Sequence, residues 1–375
     1  MDAPELKIVT DLAEIPAAQW DALAGHDPFL SHAYLYALQA SGCATPPFGW
    51  RAQFVTLWQG GHLLGAMPLY VKMNSYGELV FDFAWADAYH RHGLRYYPKL
   101  VCAVPFTPVT GARLLAPSDE VRALLLEYAL RLARETGMSS LHCLFLDEAA
   151  IRVARAHGMM LREDVQFHWQ NPGYRDFEDF LAALSRDKRK RIRQERRKVS
   201  EAGIELQCVT GEEASAEQWA FFAECYANTH RQYNSPPSLN ADFFQRIGVT
   251  MRPHTLLVIA SRAGRPIASA LNFHTRDALY GRSWGALEFH SGLHFETCYY
   301  TAIEFCIARG IRTFEGGAQG EHKLARGFLP VTTRSAHWLA HPRFAQAVEN
   351  YLQHEAGAVA GYLDELNERT PFKRT

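Results

Sequence analysis

VIASRAGRPIASALNF (residues 258–273) carries two apolar runs joined at a tight turn that contains Gly264. Glycine reaches the positive φ that a two-residue hairpin turn needs, so the segment predicts a β-hairpin. The first half of the chain repeats the pattern in VTLWQGGHLLGAMPLY (residues 55–70), with Gly61 where the other has Gly264. Beyond each hairpin the order is also the same. SDEVRALLLEYALRLARETG (residues 118–137) predicts a helix, with Ser118 as N-cap, acids in the first turn and Gly137 as the stop, and LHCLFL (residues 141–146) follows as a strand. In the second half ETCYYTAIEFCIARG (residues 296–310) ends at Gly310, and RTFEGG (residues 312–317) follows. Two αβ units of one order explain the chain more economically than a single irregular domain.

The bulk numbers agree. A chain of 375 residues with 48% hydrophobic content buries a large core and predicts two domains. The start has no signal-peptide pattern, and no stretch reaches the ~20 apolar residues of a bilayer span, so a soluble cytoplasmic protein is expected. Seven scattered cysteines without a CxxC pair read as reduced, buried apolar residues.

Charge is concentrated in SRDKRKRIRQERRK (residues 185–198), nine Lys and Arg against two acids in a chain that holds 39 basic and 40 acidic residues. It follows QNPGYRDFED (residues 170–179), whose Pro, Gly and acids mark a boundary, with domains expected at 1–172 and 173–375. Written as one helix from Phe177, with the basic part over 180–200, it sets Phe180, Leu181, Leu184, Lys188, Ile192 and Val199 near one face. A thin apolar seam under a broad cationic surface results, and Lys188, Arg189 and Arg193 are candidate phosphate contacts.

Between hairpin and helix the first half carries a long aromatic segment (residues 81–117), either a binding loop or a cover over a sheet face. In FDFAWADAY (residues 81–89) strand alternation puts Trp85, Asp87 and Tyr89 on one face, with Asp82 off it. Carboxylates beside aromatics suit a cationic amine or a sugar-peptide, or are satisfied acids at a strand end. Lys99 is a candidate contact for an acidic substrate.

Common catalytic motifs are missing. There is no GxxxxGK[ST] or GxGxxG, and the histidines of HRH (residues 90–92) and HSGLH (residues 290–294) lack further ligands at metal spacing, so no metal site is expected. On ALYGRSWGA (residues 278–286) alternation places Tyr280, Arg282 and Trp284 on one face. A buried Arg282 needs a ligand anion or a carboxylate such as Glu288, Glu296 or Glu315. His294 and Glu296 precede the central helix of that half.

LHFETCYYTAIEFCIARGIRTFEGGAQGEHKLARGFLPVTTRSAHW (residues 293–338) resembles the C-terminal half of FemAB-type acyltransferases: a helix, a strand ending in a Gly-rich turn, then a lysine shortly before Gly-Phe. LSRDKRKRIR (residues 184–193) is similar to the helix that opens their second domain. FLSH (residues 29–32), YPKL (residues 97–100), PFTPVTG (residues 105–111) and GAQGEHK (residues 317–323) resemble the bacterial "peptidoglycan biosynthesis/recognition" group, identified as N-acyltransferases of the GNAT fold.

The resemblance implies an α/β protein of tandem GNAT-like domains with mixed sheets, in which two parallel strands splay apart to receive an acyl group. It implies attack by an amine on an activated carbonyl, with no tightly bound cofactor and with acyl-CoA or aminoacyl-tRNA as co-substrate. The acceptor would be an amine of a small molecule or cell-wall precursor, and tRNA a possible partner. Lys323 matches the family lysine, where a cation can hold phosphate or an oxyanion. His322 and Glu321 beside it are candidates to take the amine proton, and Arg326 pairs with phosphate or with Glu315. The chain departs from acetyl-CoA-dependent members in lacking [QR]xxGx[GA] before either central helix. That leaves open a module that binds a cell-wall precursor or RNA without catalysis.

Overall fold

The computed structural model describes residues 3–317 and 320–373. Its strands in chain order are β1 (Glu5–Val9), β2 (Trp50–Ala52), β3 (Phe54–Gln59), β4 (His62–Met67), β5 (Leu69–Lys72), β6 (Lys99–Cys102) and β7 (Ser140–Cys143). Then come β8 (Met160–Gln170), β9 (Ile204–Thr210), β10 (Thr255–Arg262), β11 (Arg265–His274), β12 (Ala278–Ala286), β13 (Thr313–Glu315) and β14 (Leu329–Leu339).

The chain forms two compact units, Met1–Asp164 with Thr332–Gly361, and Val165–Val331 with Tyr362–Thr375. The expected division was contiguous, at 172/173. The observed one is interleaved, because residues 336–339 of β14 pair antiparallel with β7 and so belong to unit one.

Both hairpins form with two-residue turns. In unit one Gln59 pairs His62 across Gly60 and Gly61, at φ 55° and 81°. In unit two Arg262 pairs Arg265 across Ala263 and Gly264, at φ 50° and 74°. Consecutive positive φ values match the strand twist. Ala263 adopts one without glycine's freedom.

In unit one the strand order is β2-β5-β6-β7-β14, with β1-β3-β4 as a smaller sheet. The helix Asp119–Glu135 starts where expected, with the Ser118 side chain accepting from Val121 N. Its Leu125, Leu126, Ala129, Leu130 and Ala133 are buried in a core with Val55, Leu57 and Met67. Each such leucine contributes roughly 2 kcal/mol by leaving water. The segment expected to alternate as a strand is instead a helix, Phe83–Arg91. Trp85 and Tyr89, four apart, share a face under either period, and the i,i+4 pairing is the one realised. Asp87 is exposed and pairs with Arg91 at 3.1 Å.

In unit two the order is β8-β13-β12-β11-β10-β9, with β12 and β13 parallel and the other pairs antiparallel. The basic segment is two helices, Phe177–Ala183 and Arg186–Glu201, rather than one. The break has a local cause: Leu184 and Ser185 are extended, and backbone bridges tie them to Phe372 and Pro371 near the chain's end. The apolar seam is present, with Ile192 and Val199 buried. Among the described residues no helix is long and apolar enough to cross a membrane.

Candidate active site

The site of unit two grows from one feature of its sheet. Among the described residues β12 pairs with β13 only at Ala278↔Thr313, Leu279↔Phe314 and Tyr280↔Glu315, yet it continues to Ala286. Beyond Tyr280 the two parallel strands part. Gly281, Arg282, Ser283 and Trp284 then face Gly316 and Gly317 across a cavity of about 110 Å³. A side chain at Gly316 would put its Cβ 2.9 Å from the Phe328 ring, so only glycine keeps this wall in place.

In unit one the equivalent parallel pair does not open. β6 and β7 pair through Cys102↔Cys143, and Gly111 continues the ladder by donating to Phe145 O and accepting from Asp147 N.

Two irregularities shape the cavity. A register shift opposite Leu271 and Asn272 makes Arg282 the extra residue of a β-bulge in β12. Alternation breaks there, and of the three residues expected on one face Arg282 and Trp284 line the cavity while Tyr280 does not. The central helix widens into a π-turn at Glu296–Tyr300 before continuing as Thr301–Arg309. Such turns recur at functional sites. Here the turn brings Cys298 and Tyr299 to the wall beside His294.

Three polar groups define the chemistry at the wall. Asn272 is 1% exposed, and its Nδ2 has no hydrogen-bond partner among the described residues. His294 packs on Trp284 at 4.8 Å between ring centroids, and burial with the nearby His322, Arg326 and Lys323 lowers it to about 4. It is a neutral imidazole at pH 7. Burial pushes the Cys298 thiol well above its ordinary value, so it is protonated rather than a thiolate nucleophile.

Lys323 lies behind this wall, buried on the short 3-10 helix Glu321–Arg326. Its Nζ donates to Gly317 O at 2.8 Å. Burial lowers its ammonium to about 8. Ala318 and Gln319 of the loop between them lie outside the described residues. His322 sits at the edge of the same cluster, with its Nε2 3.1 Å from the Tyr299 hydroxyl.

The other candidates in this unit turn elsewhere. Glu321 accepts from Tyr362 OH at 2.8 Å and pairs with Arg369 at 3.2 Å, an exposed position apart from the cavity wall. The carboxylate partner of Arg326 is not Glu315. The arginine donates to both oxygens of Glu195, at 2.8 and 2.9 Å, and its guanidinium lies over the Phe295 ring. Glu296 accepts from Arg196 at 3.1 and 3.2 Å, an ion pair inside the fold. On the basic helix Arg193 pairs with Glu178, whereas Lys188 and Arg189 are half-buried and have no ion pair among the described residues.

In unit one Asp82 and Lys99 come together, but as partners of each other. Lys99 is fully buried and donates to Glu78 at 2.8 Å, to Ser75 at 2.9 Å and to Asp82. Burial raises the Asp82 carboxyl, but Lys99 and His142 more than offset this and hold it well below its ordinary range. Trp85 closes the cluster against His337, 5.1 Å away between centroids. A lysine saturated by two carboxylates has no capacity left for an acidic substrate, so the expected role of Lys99 is corrected to a structural one.

Sequence reasoning missed Asn272, Tyr299 and Glu195, and marked Gly316–Gly317 as a strand end without its role as a cavity wall. Asn272 carried a signal, as a lone amide in the apolar run SALNF (residues 269–273). Glu195 carried none toward Arg326, since the pair is 131 residues apart.

Paired units built on a hairpin, a central helix and a parallel strand pair, splayed in unit two, define an α/β protein of two GNAT-like units. The chain belongs to the FemAB-like family, described as peptidoglycan biosynthesis/recognition, which matches residues 11–374. The crystal structure of FemX is similar at 12% identity and TM-score 0.54, over 89% of this chain and 98% of that one. A C-terminal domain from Agrobacterium fabrum, named for a lysylphosphatidylglycerol synthetase, is similar at 9% identity and TM-score 0.56, over 90% and 95%. A tandem GNAT protein from the clavulanic acid biosynthesis pathway has 13% identity and TM-score 0.46, over 91% and 99%. At these identities the first two establish the fold alone. No curated protein matches the chain in sequence.

Proposed function

We propose that this chain is an N-acyltransferase whose reacting site is the cavity of unit two. The observation that carries it is the opening between β12 and β13. It leaves backbone edge and the Asn272 amide facing a space where an acyl group fits, while unit one closes the same gap. Membership in the FemAB-like family supports the reading.

The reaction is attack of a neutral amine on an ester or thioester carbonyl. A C–N bond forms, the C–O or C–S bond breaks, and the amine proton goes to the leaving group. Asn272 Nδ2 and Arg282 are the donors placed for the carbonyl oxygen as it gains charge. Lys323 acts one layer back. It fixes the Gly317 carbonyl and adds positive potential behind the wall. His322, exposed at the edge of the cluster and held below its ordinary value by partial desolvation and by the nearby Lys323 and Arg326, carries the proton between amine and leaving group.

Lacking the pyrophosphate loop, the chain fits an aminoacyl-tRNA donor better than acetyl-CoA. Lys188 and Arg189, with the exposed Arg186, Lys190 and Lys198 of the same helix, have no ion pair among the described residues and are the cations offered to the RNA backbone. The acceptor is the amine of a cell-wall precursor or of a small molecule.

The test is incubation with charged tRNA and with a panel of acyl-CoAs, reading acceptor mass by mass spectrometry. A mass gain in the wild type, reduced at least tenfold in Lys323→Ala, is expected. Saturable binding of acceptor with no mass gain from any donor would replace the enzyme with a binding module.

A further inference from the structure

The reacting cavity of unit two has a neighbour. A second depression of about 120 Å³ shares Trp284 and His294 with it, so the two spaces adjoin. The rest of its wall comes from the end of the helix Ala216–Gln232 and from the loop that joins β12 to the central helix. All of these residues belong to unit two.

Two aromatic rings stand free at this wall. Tyr233 is 79% exposed and Phe289 is 95% exposed, and neither touches another ring among the described residues. Single rings left in water are ordinary, but these two line one depression beside a reacting cavity. Phe289 lies just before the central helix, where acetyl-CoA-dependent members of the fold carry their pyrophosphate loop. Here that segment reads LEFHSG (residues 287–292) and projects a ring into water.

The depression has no Lys or Arg in its wall among the described residues. Its one carboxylate, Glu288, accepts from His290 at 3.1 Å and pairs with Arg262 at 3.6 Å. Such a wall does not attract a phosphate and suits a flat, uncharged group. Gln232 adds a hydrogen-bonding edge, since its exposed amide has no partner among the described residues. A free amide beside aromatic planes is the pairing that recognises adenine, accepting from N6–H and donating to N7. Stacking supplies the affinity, because every nucleobase has a π face.

We propose that this depression seats the terminal adenine of the donor, stacked against Tyr233 and Phe289 with its N6/N7 edge toward Gln232. The proposal rests on the reading of the neighbouring cavity as the site of acyl transfer. Adjacency then selects the donor. In an aminoacyl-tRNA the ester and the terminal adenine hang from one ribose, so two adjoining spaces hold both. In an acyl-CoA the pantetheine arm and the pyrophosphate separate adenine from thioester, too far for spaces with a common wall.

The test is calorimetric titration of the full chain with 3′-alanylamido-3′-deoxyadenosine, which has an amide in place of the labile ester, with its cytidine and uridine counterparts, and with coenzyme A. Saturable binding of the adenosine compound, about tenfold or more tighter than the other two nucleosides, is expected. Tyr233→Ala and Phe289→Ala should each weaken it about tenfold, and Phe289→Trp should retain it. Both alanine variants should melt as the wild type does, because the rings are exposed. Gln232→Leu should erase the preference for adenosine. No saturable binding, equal binding of all three bases, binding that the alanine variants leave unchanged, or coenzyme A bound as tightly overturns the proposal. The mass assay separates this subsite from the reaction. Turnover with charged tRNA that neither alanine variant slows overturns the subsite alone, whereas adenosine-selective binding without turnover removes the reaction and supports the base pocket.

Discussion

Glu195→Ala is expected to destabilise unit two by about 3 kcal/mol, although the residue lies on a helix surface rich in charge. Arg326 is 1% exposed, and it donates two hydrogen bonds of 2.8 and 2.9 Å to Glu195. Tyr300 donates to the same carboxylate. Removing one partner of a buried pair costs roughly 3–5 kcal/mol, because the remaining charge is left without compensation. The Glu195 side chain is 16% exposed, so some water reaches the vacated place, and the lower end applies. The contacts of Arg326 to His322 O and Phe295 survive, but its Nε already lacks a partner among the described residues. Arg326→Met should cost less, since Glu195 keeps Tyr300 and Arg191. The double variant should recover at least ~1 kcal/mol relative to Glu195→Ala, a coupling of about 2 kcal/mol. Urea unfolding followed by far-UV circular dichroism gives all four values. If Glu195→Ala unfolds within ~0.5 kcal/mol of wild type, or if the single losses simply add, the ion pair does not hold the 321–326 loop.

Three more outcomes can be measured. Lys323 titrates at about 8 in the folded chain against an ordinary 10.5, so between these values the unfolded chain binds more protons. Stability should therefore rise with pH across that window by up to about 3 kcal/mol, and urea unfolding at pH 8 and pH 10 should show the rise in wild type but not in Lys323→Met. Asn272→Leu should leave thermal stability unchanged or raise it by about 1 kcal/mol, since it removes an unpartnered amide, while transfer falls about 100-fold in the mass assay. Unchanged transfer would remove Asn272 from the site. Gly285→Ala would place a Cβ 2.0 Å from Cys225 O, a backbone atom that cannot swing aside, and a loss of about 2 kcal/mol or more is expected from thermal unfolding.

The local grammar of the chain was legible in full view. Gly60–Gly61 and Gly264 mark hairpins because turn geometry is a property of two residues and their φ values. Ser118 and Gly310 bound helices because caps are satisfied within four residues. Periodicity was weaker evidence where two periods agree, as at Trp85 and Tyr89, and a helix lay where alternation suggested a strand.

Residue type and spacing also marked Arg282, Trp284, His294 and Lys323, all of which lie at the cavity or directly behind it. Partner choice was not legible. Arg326 found Glu195 rather than Glu315, Glu296 found Arg196, and Lys99 found Glu78 and Asp82, each across at least 17 residues. A charge advertises its need for a partner in the sequence, but several carboxylates qualify. The chain path selects the one that arrives within 3 Å at low solvent exposure. The bulge at Arg282, the π-turn at Glu296–Tyr300 and the parting of β12 from β13 are of the same kind. They have no local signature because they relieve packing between elements distant in sequence, and the cavity exists only where all three meet.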